Sequence, residues 1–132
     1  MFFGINPVHS KDVTKNSAVK MNKPEILFYY YIINTQFDIN ETKCQVYKPP
    51  DMILRKKPEF GKVKFKKGVV IDHAKMSERE KKMCKGKTVK GTEIEYTGNK
   101  KGKTSFKVEV LYRQGRYEEH IFGNVLFNVN VR

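Results

Sequence analysis

Two stretches near the C-terminus alternate so strictly that few folds remain open to the chain. Phe106, Val108, Val110 and Tyr112 fall on every second position, and so do Val125, Phe127, Val129 and Val131. Successive side chains of a strand point to opposite faces, so each stretch predicts a strand with one apolar face and one polar face. Two such faces call for an antiparallel sheet covered on one side. Thr92 to Thr97 and Tyr117 to Phe122 read as further strands. The connections among the four carry Gly98-Asn99, Gly102, Gly115 and Gly123-Asn124, all of which accept positive φ. A four-strand meander is the economical topology, and such a sheet can curl into a small barrel.

Upstream of it, Ser77 and Glu80 have the spacing of a capping box. Glu78 and Glu80 sit in the first turn, Lys81, Lys82 and Lys85 follow, and Gly86 stands where the helix should stop. This predicts a basic helix of about two turns. Lys62-Val63-Lys64-Phe65-Lys66 alternates and predicts a strand with Val63 and Phe65 on one face and three lysines on the other; it extends past Gly68 through Val69, Val70 and Ile71. Lys43 to Tyr47 reads as a strand, and the prolines at 49, 50 and 58 make 48–59 an extended connection. Asn22-Lys23-Pro24-Glu25 has the character of a helix start, yet the β-branched and aromatic run Ile26 to Ile33 favours a strand. Residues 1–21 show no period and read as an N-terminal arm or irregular edge.

The expected fold is therefore α+β: predominantly antiparallel sheet, with a short basic helix before the C-terminal meander, in a single domain spanning all 132 residues. A chain of this length can bury a core without disulfides or metal. The longest apolar run has eight residues, three of them tyrosine, far short of the roughly 20 a membrane span needs. The N-terminal residues lack the basic and apolar regions of a secretory signal, so a cytoplasmic or nuclear protein is expected.

Charge supplies the functional expectation. The chain carries 27 Lys plus Arg against 14 Asp plus Glu, a formal net charge of +13. The excess is +1 over 1–54, +11 over 55–103 and +1 over 104–132. A local block of one sign attracts polyanions, whereas charge kept for solubility is spread along a chain. Lys62, Lys64 and Lys66 recur roughly 6.6 Å apart on the predicted strand, close to two phosphate steps of a nucleic-acid strand. Lys67, the next residue, is a further candidate phosphate contact. Lys75, Arg79 and Lys82 share a helical stripe if the helix reaches back to 75. Arg55-Lys56-Lys57 and Lys100-Lys101-Gly102-Lys103 add two loop clusters, the second at a hairpin tip. Of the cations 22 are Lys and 5 are Arg. Lysine binds as a point charge and lacks the fork with which arginine reads guanine edges, which points to phosphates and little sequence specificity. Phe60 and Tyr96 are candidates to stack on bases and Phe65 a weaker one, although core packing is the commoner fate of such rings.

No catalytic constellation emerges. Asp72-His73 and Glu118-Glu119-His120 place neighbours on opposite faces of a strand. Gly86-Lys87-Thr88 and Gly102-Lys103-Thr104 resemble the end of a phosphate loop but have Lys81 and Thr97 where its first glycine belongs. Cys44, His73, Cys84 and His120 lack ligand spacing for zinc, and the cysteines read as two separate thiols. The expectation is a non-catalytic basic protein without cofactor or metal, whose partner is DNA or RNA. The alternative is an interaction or inhibitor module that docks its basic face on an acidic protein surface.

Overall fold

The computed structural model describes residues 11–37, 42–112 and 120–132. In chain order the strands are β1 (Lys11–Val19), β2 (Glu25–Tyr30), β3 (Ile33–Phe37), β4 (Thr42–Val46), β5 (Asp51–Lys56) and β6 (Lys62–Val70). A 3-10 turn (His73–Lys75) and helix α1 (Glu78–Met83) follow, then β7 (Lys90–Thr97), β8 (Gly102–Tyr112) and β9 (His120–Val131). The described residues are strand-rich with one short helix. No described helix is long and apolar enough to cross a membrane.

The strands form two facing sheets, β1-β9-β8-β5 and β2-β7-β6, with β3 and β4 as a separate hairpin. The sheets do not close into a barrel. Every neighbouring pair is antiparallel except β1 with β9. With the β3-β4 hairpin set aside, β2-β7-β6 faces β9-β8-β5 in the order of the B-E-D and G-F-C strands of an immunoglobulin-type sandwich, and β1 is an added edge strand. Such sandwiches carry many unrelated functions, so the order positions a site without naming one.

The inward residues of both sheets make the main core. Phe106, Val108 and Val110 of β8 and Val125, Phe127, Val129 and Val131 of β9 meet Ile94 and Tyr96 of β7, all buried. Phe106 stacks on Phe127 at 4.8 Å and on Tyr96 at 5.8 Å, which couples the two sheets through aromatic rings. A second cluster, from Ile33, Cys44, Ile71, Met76, Met83, Cys84 and Val89, packs against Tyr29 and Tyr31. In it a Cys44–Cys84 disulfide ties β4 to the residue that ends α1. This corrects the reading of two separate thiols: the cysteines are 40 positions apart, and only the packing of α1 against the hairpin brings them together. Helix α1 follows its sequence signals, with the reciprocal Ser77–Glu80 capping box formed and Gly86 at φ +79° beyond its end.

Other expectations need correction. The C-terminal meander is replaced by three strands divided between two sheets. Gly123 is not a turn residue; with φ +145° it lies beside a bulge within β9, which runs on from His120 to Val131. Tyr117 to Glu119 of the strand expected there lie outside the described residues. The β7-β8 connection crosses between sheets because Gly98 is held at the end of the first, where Asn22 N–H donates to its carbonyl and Val131 leaves no room for a Cβ. Residues 11–19 of the expected arm form edge strand β1, and 1–10 lie outside the described residues. Asn22 to Glu25 lead into β2 rather than a helix, and Ile26 to Ile33 is divided between β2 and β3. The expected extended connection over 48–59 contains β5, which pairs with β8 at the sheet edge, where flanking prolines are tolerated.

Candidate nucleic-acid interface

Ion pairs engage some of the cations of segment 55–103, and others have none among the described residues. Lys66 pairs with Glu95 at 2.6 Å, Lys75 approaches Glu93 at 4.0 Å, Lys67 pairs with Asp51 and Arg55 with Glu109. Strand β6 lies in register with β7, so that Lys64 is opposite Glu95 and Lys66 opposite Glu93. The lysine face of β6 is thus interleaved with carboxylates of its neighbour. The Glu95 carboxylate, by hydrogen bond and by charge, raises the Lys66 ammonium above its ordinary value, which fixes it as a cation. Arg79 and Lys82 are exposed on α1, but Lys75 belongs to the 3-10 turn. The chain is extended at Met76 and Ser77, so the expected three-residue stripe is broken.

Six of the cations without an ion pair are gathered at one end of the sandwich. Lys56, Lys57 and Lys62 flank the β5-β6 connection, and Lys100, Lys101 and Lys103 the β7-β8 connection; all are exposed and have no ion pair among the described residues. The two connections are stitched together. Glu59 N–H donates to Thr104 Oγ1 at 2.9 Å, the Tyr96 hydroxyl donates to the Phe60 carbonyl at 2.7 Å, and Lys62 is paired with Thr97. Lys100 Nζ lies 5.9 Å from the centre of the half-buried Phe60 ring. Tyr96, proposed as a stacking residue, is fully buried against Phe106, because its hydroxyl finds a backbone partner inside; it is not available to a base. Phe65 packs against the main core.

Lys107 was not anticipated. It lies directly opposite Lys56 across the β5-β8 pair, and like charges so placed repel unless an anion joins them. Beside it the outer face of β1-β9-β8 carries an open cleft of about 520 Å³, lined in part by Asn16, Glu59, Lys103, Ser105, Asn128 and Asn130. Its floor is two cross-strand rows, Asn16-Asn128-Ser105 and Asn130-Lys103. The alternation that exposed Val125, Phe127 and Val129 as inward residues also placed Asn124, Asn128 and Asn130 on the outer face. That excess of amides over charges was the signal to find this surface. Among the described residues no cluster of His, Cys, Asp and Glu could hold a metal ion. His73 Nε2 lies 2.8 Å from the Lys87 carbonyl, and both sulfurs of the conceivable zinc quartet are joined to each other.

No comparison adds a relative. No protein-family model matches the chain, and no curated protein or solved structure is significantly similar to it.

Proposed function

We propose that the chain is a non-catalytic nucleic-acid-binding protein. It holds phosphates at the end of the sandwich with Lys56, Lys57, Lys62, Lys100, Lys101 and Lys103, and it has little sequence specificity. The observation that supports this reading most is the contrast among the cations of the basic segment. Arg55, Lys66, Lys67 and Lys75 are engaged by carboxylates, whereas six exposed lysines without an ion pair among the described residues are gathered at the end on two connections bonded to each other. Lys64 and Lys107 extend the surface along the outer faces of the two sheets. Lysines present point charges that follow a phosphate chain without reading base edges. The reading makes no demand on compartment, and the Cys44–Cys84 disulfide is of a kind that persists in oxidising surroundings.

Charge reversal tests it. In a fluorescence anisotropy titration on a single-stranded oligonucleotide, K100E/K101E/K103E should weaken binding more than tenfold. It should also flatten the log-log salt dependence by about 2, the change expected for three lost phosphate contacts on a single strand. R79E/K82E on α1 should leave both quantities nearly unchanged. Equal losses from the two variants would reject the end of the sandwich as the contact surface.

A further inference from the structure

Within the basic end, one group has the wrong sign for a polyanion. The Glu59 carboxylate is exposed and has neither an ion pair nor a hydrogen bond among the described residues, although Lys57, Lys62 and Lys103 lie on the same two connections. The residue is not loose, for its backbone N–H is fixed on Thr104, and it walls the cleft whose floor is the two polar rows. Against phosphates alone an acceptor-only group in this place costs affinity. It becomes favourable only where the ligand presents a hydrogen-bond donor between its charges. The DNA backbone has no such donor, whereas RNA has one per nucleotide, the 2′-hydroxyl.

The rest of the cleft has the same character. Asn128 Nδ2 donates to Asn16 Oδ1 at 3.1 Å, and both residues are exposed, so the Asn16 amide N–H groups and the Asn128 side-chain carbonyl remain for a ligand in one row. Asn130 and Ser105 contribute further groups that both donate and accept. None of these lining residues is aromatic, so a base gains no stacking there, while a sugar ring with a hydroxyl finds partners of both kinds. Lys103 stands opposite Asn130 at the basic edge, where the phosphate adjoining such a sugar would fall.

We propose that the cleft seats a ribose of an RNA strand, with Glu59 accepting a hydrogen bond from its 2′-hydroxyl and Lys103 holding the adjoining phosphate, so that the protein prefers RNA to DNA. The inference rests on the nucleic-acid reading above and names the nucleic acid.

The experiment compares single-stranded RNA, DNA and fully 2′-O-methylated RNA of one sequence, about 12 nucleotides long, by anisotropy at about 150 mM salt, with heparin as competitor. The methylated strand keeps every phosphate but has no 2′ donor. RNA should bind roughly tenfold more tightly than either of the others, the scale of one hydrogen bond to a charged group. Glu59→Ala retains the N–H that bonds Thr104, so the fold should survive, as circular dichroism would verify. It should abolish the preference by weakening RNA while leaving DNA unchanged or tighter. A purely structural role for Glu59 would instead weaken all three ligands together, and that result overturns the inference. Asn130→Ala, outside the Glu59 wall, should narrow the same preference. Equal binding of the three strands by the wild-type protein overturns the inference and leaves the phosphate surface standing. Failure to bind any strand, or displacement of all by trace heparin, overturns both.

Discussion

At the scale of single residues, the inward positions were legible because alternation reports them directly. Phe106, Val108, Phe127 and Val129 are buried as their spacing demands. Tyr96, two positions from Ile94, lies on the same kind of inward position, yet its place in the basic segment made it a stacking candidate, which its full burial overturns. What the sequence could not show is the Phe60 carbonyl that satisfies its hydroxyl and permits full burial. Phe127→Ala should cost about 3 to 5 kcal/mol in denaturant unfolding, since the ring is fully buried between Phe106 and Phe28. Gly61, at φ +88°, lies where a Cβ would overlap the Tyr96 hydroxyl. Gly61→Ala should therefore destabilise by about 1 to 3 kcal/mol and show greater exposure of the Tyr96 phenol by ultraviolet absorbance. Burial, then the hydrogen bond from Tyr31 to Glu80 and the Glu80 charge, hold the Tyr31 phenol well above its ordinary value of 10.0. The folded state thus keeps a proton that the unfolded chain loses near pH 10, and this contribution is complete below that pH and disappears as pH rises beyond it. The denaturant midpoint should fall between pH 8 and pH 11, and Tyr31→Phe should reduce that fall; an unchanged decline would remove Tyr31 as its source.

At the scale of elements, legibility followed how local the determining interactions are. Helix α1 is specified by groups three residues apart, Ser77 and Glu80, and it forms where they predict. β1 has only Val19 buried among its described side chains and owes its place to pairing with β9, more than 100 residues away, so no local pattern marks it. β5 was concealed by the prolines on either side, although Met52 and Leu54 alternate inward. The lysine row of β6 was legible as a row, but not the pairing of Lys66 with Glu95, which depends on the register of β6 with β7. The disulfide belongs to this scale as well, because it fastens the β3-β4 hairpin to α1. Closing a loop of 40 positions removes unfolded-state entropy worth about 4 kcal/mol. Reduction, or the paired change C44A/C84A, should lower stability by an amount of that order, read from denaturant midpoints with and without reductant. Hydrogen exchange should quicken first in α1 and β4, with the Phe106–Phe127 core little affected.

At the scale of the whole molecule, the charge block was visible in the sequence but its shape was not. The segment from Arg55 to Lys103 folds along the length of β6 and β7 and places its two clusters of lysine-bearing connections at one end. The order of strands in the two sheets could not be read either, since each sheet mixes strands from both halves of the chain. Once that order is in place, Lys56 faces Lys107, and the cleft forms beside them from β1, β8, β9 and Glu59. The central claim is that the end of the sandwich is a phosphate-binding surface. The measurement that tests it most directly is the salt dependence of single-stranded oligonucleotide binding from roughly 50 to 300 mM. If Lys56, Lys57, Lys62, Lys100, Lys101 and Lys103 each meet a phosphate, the log-log slope should be about −4, and binding should remain measurable near physiological ionic strength. A slope near zero, or binding no tighter than to an unrelated polyanion such as heparin, would contradict the account.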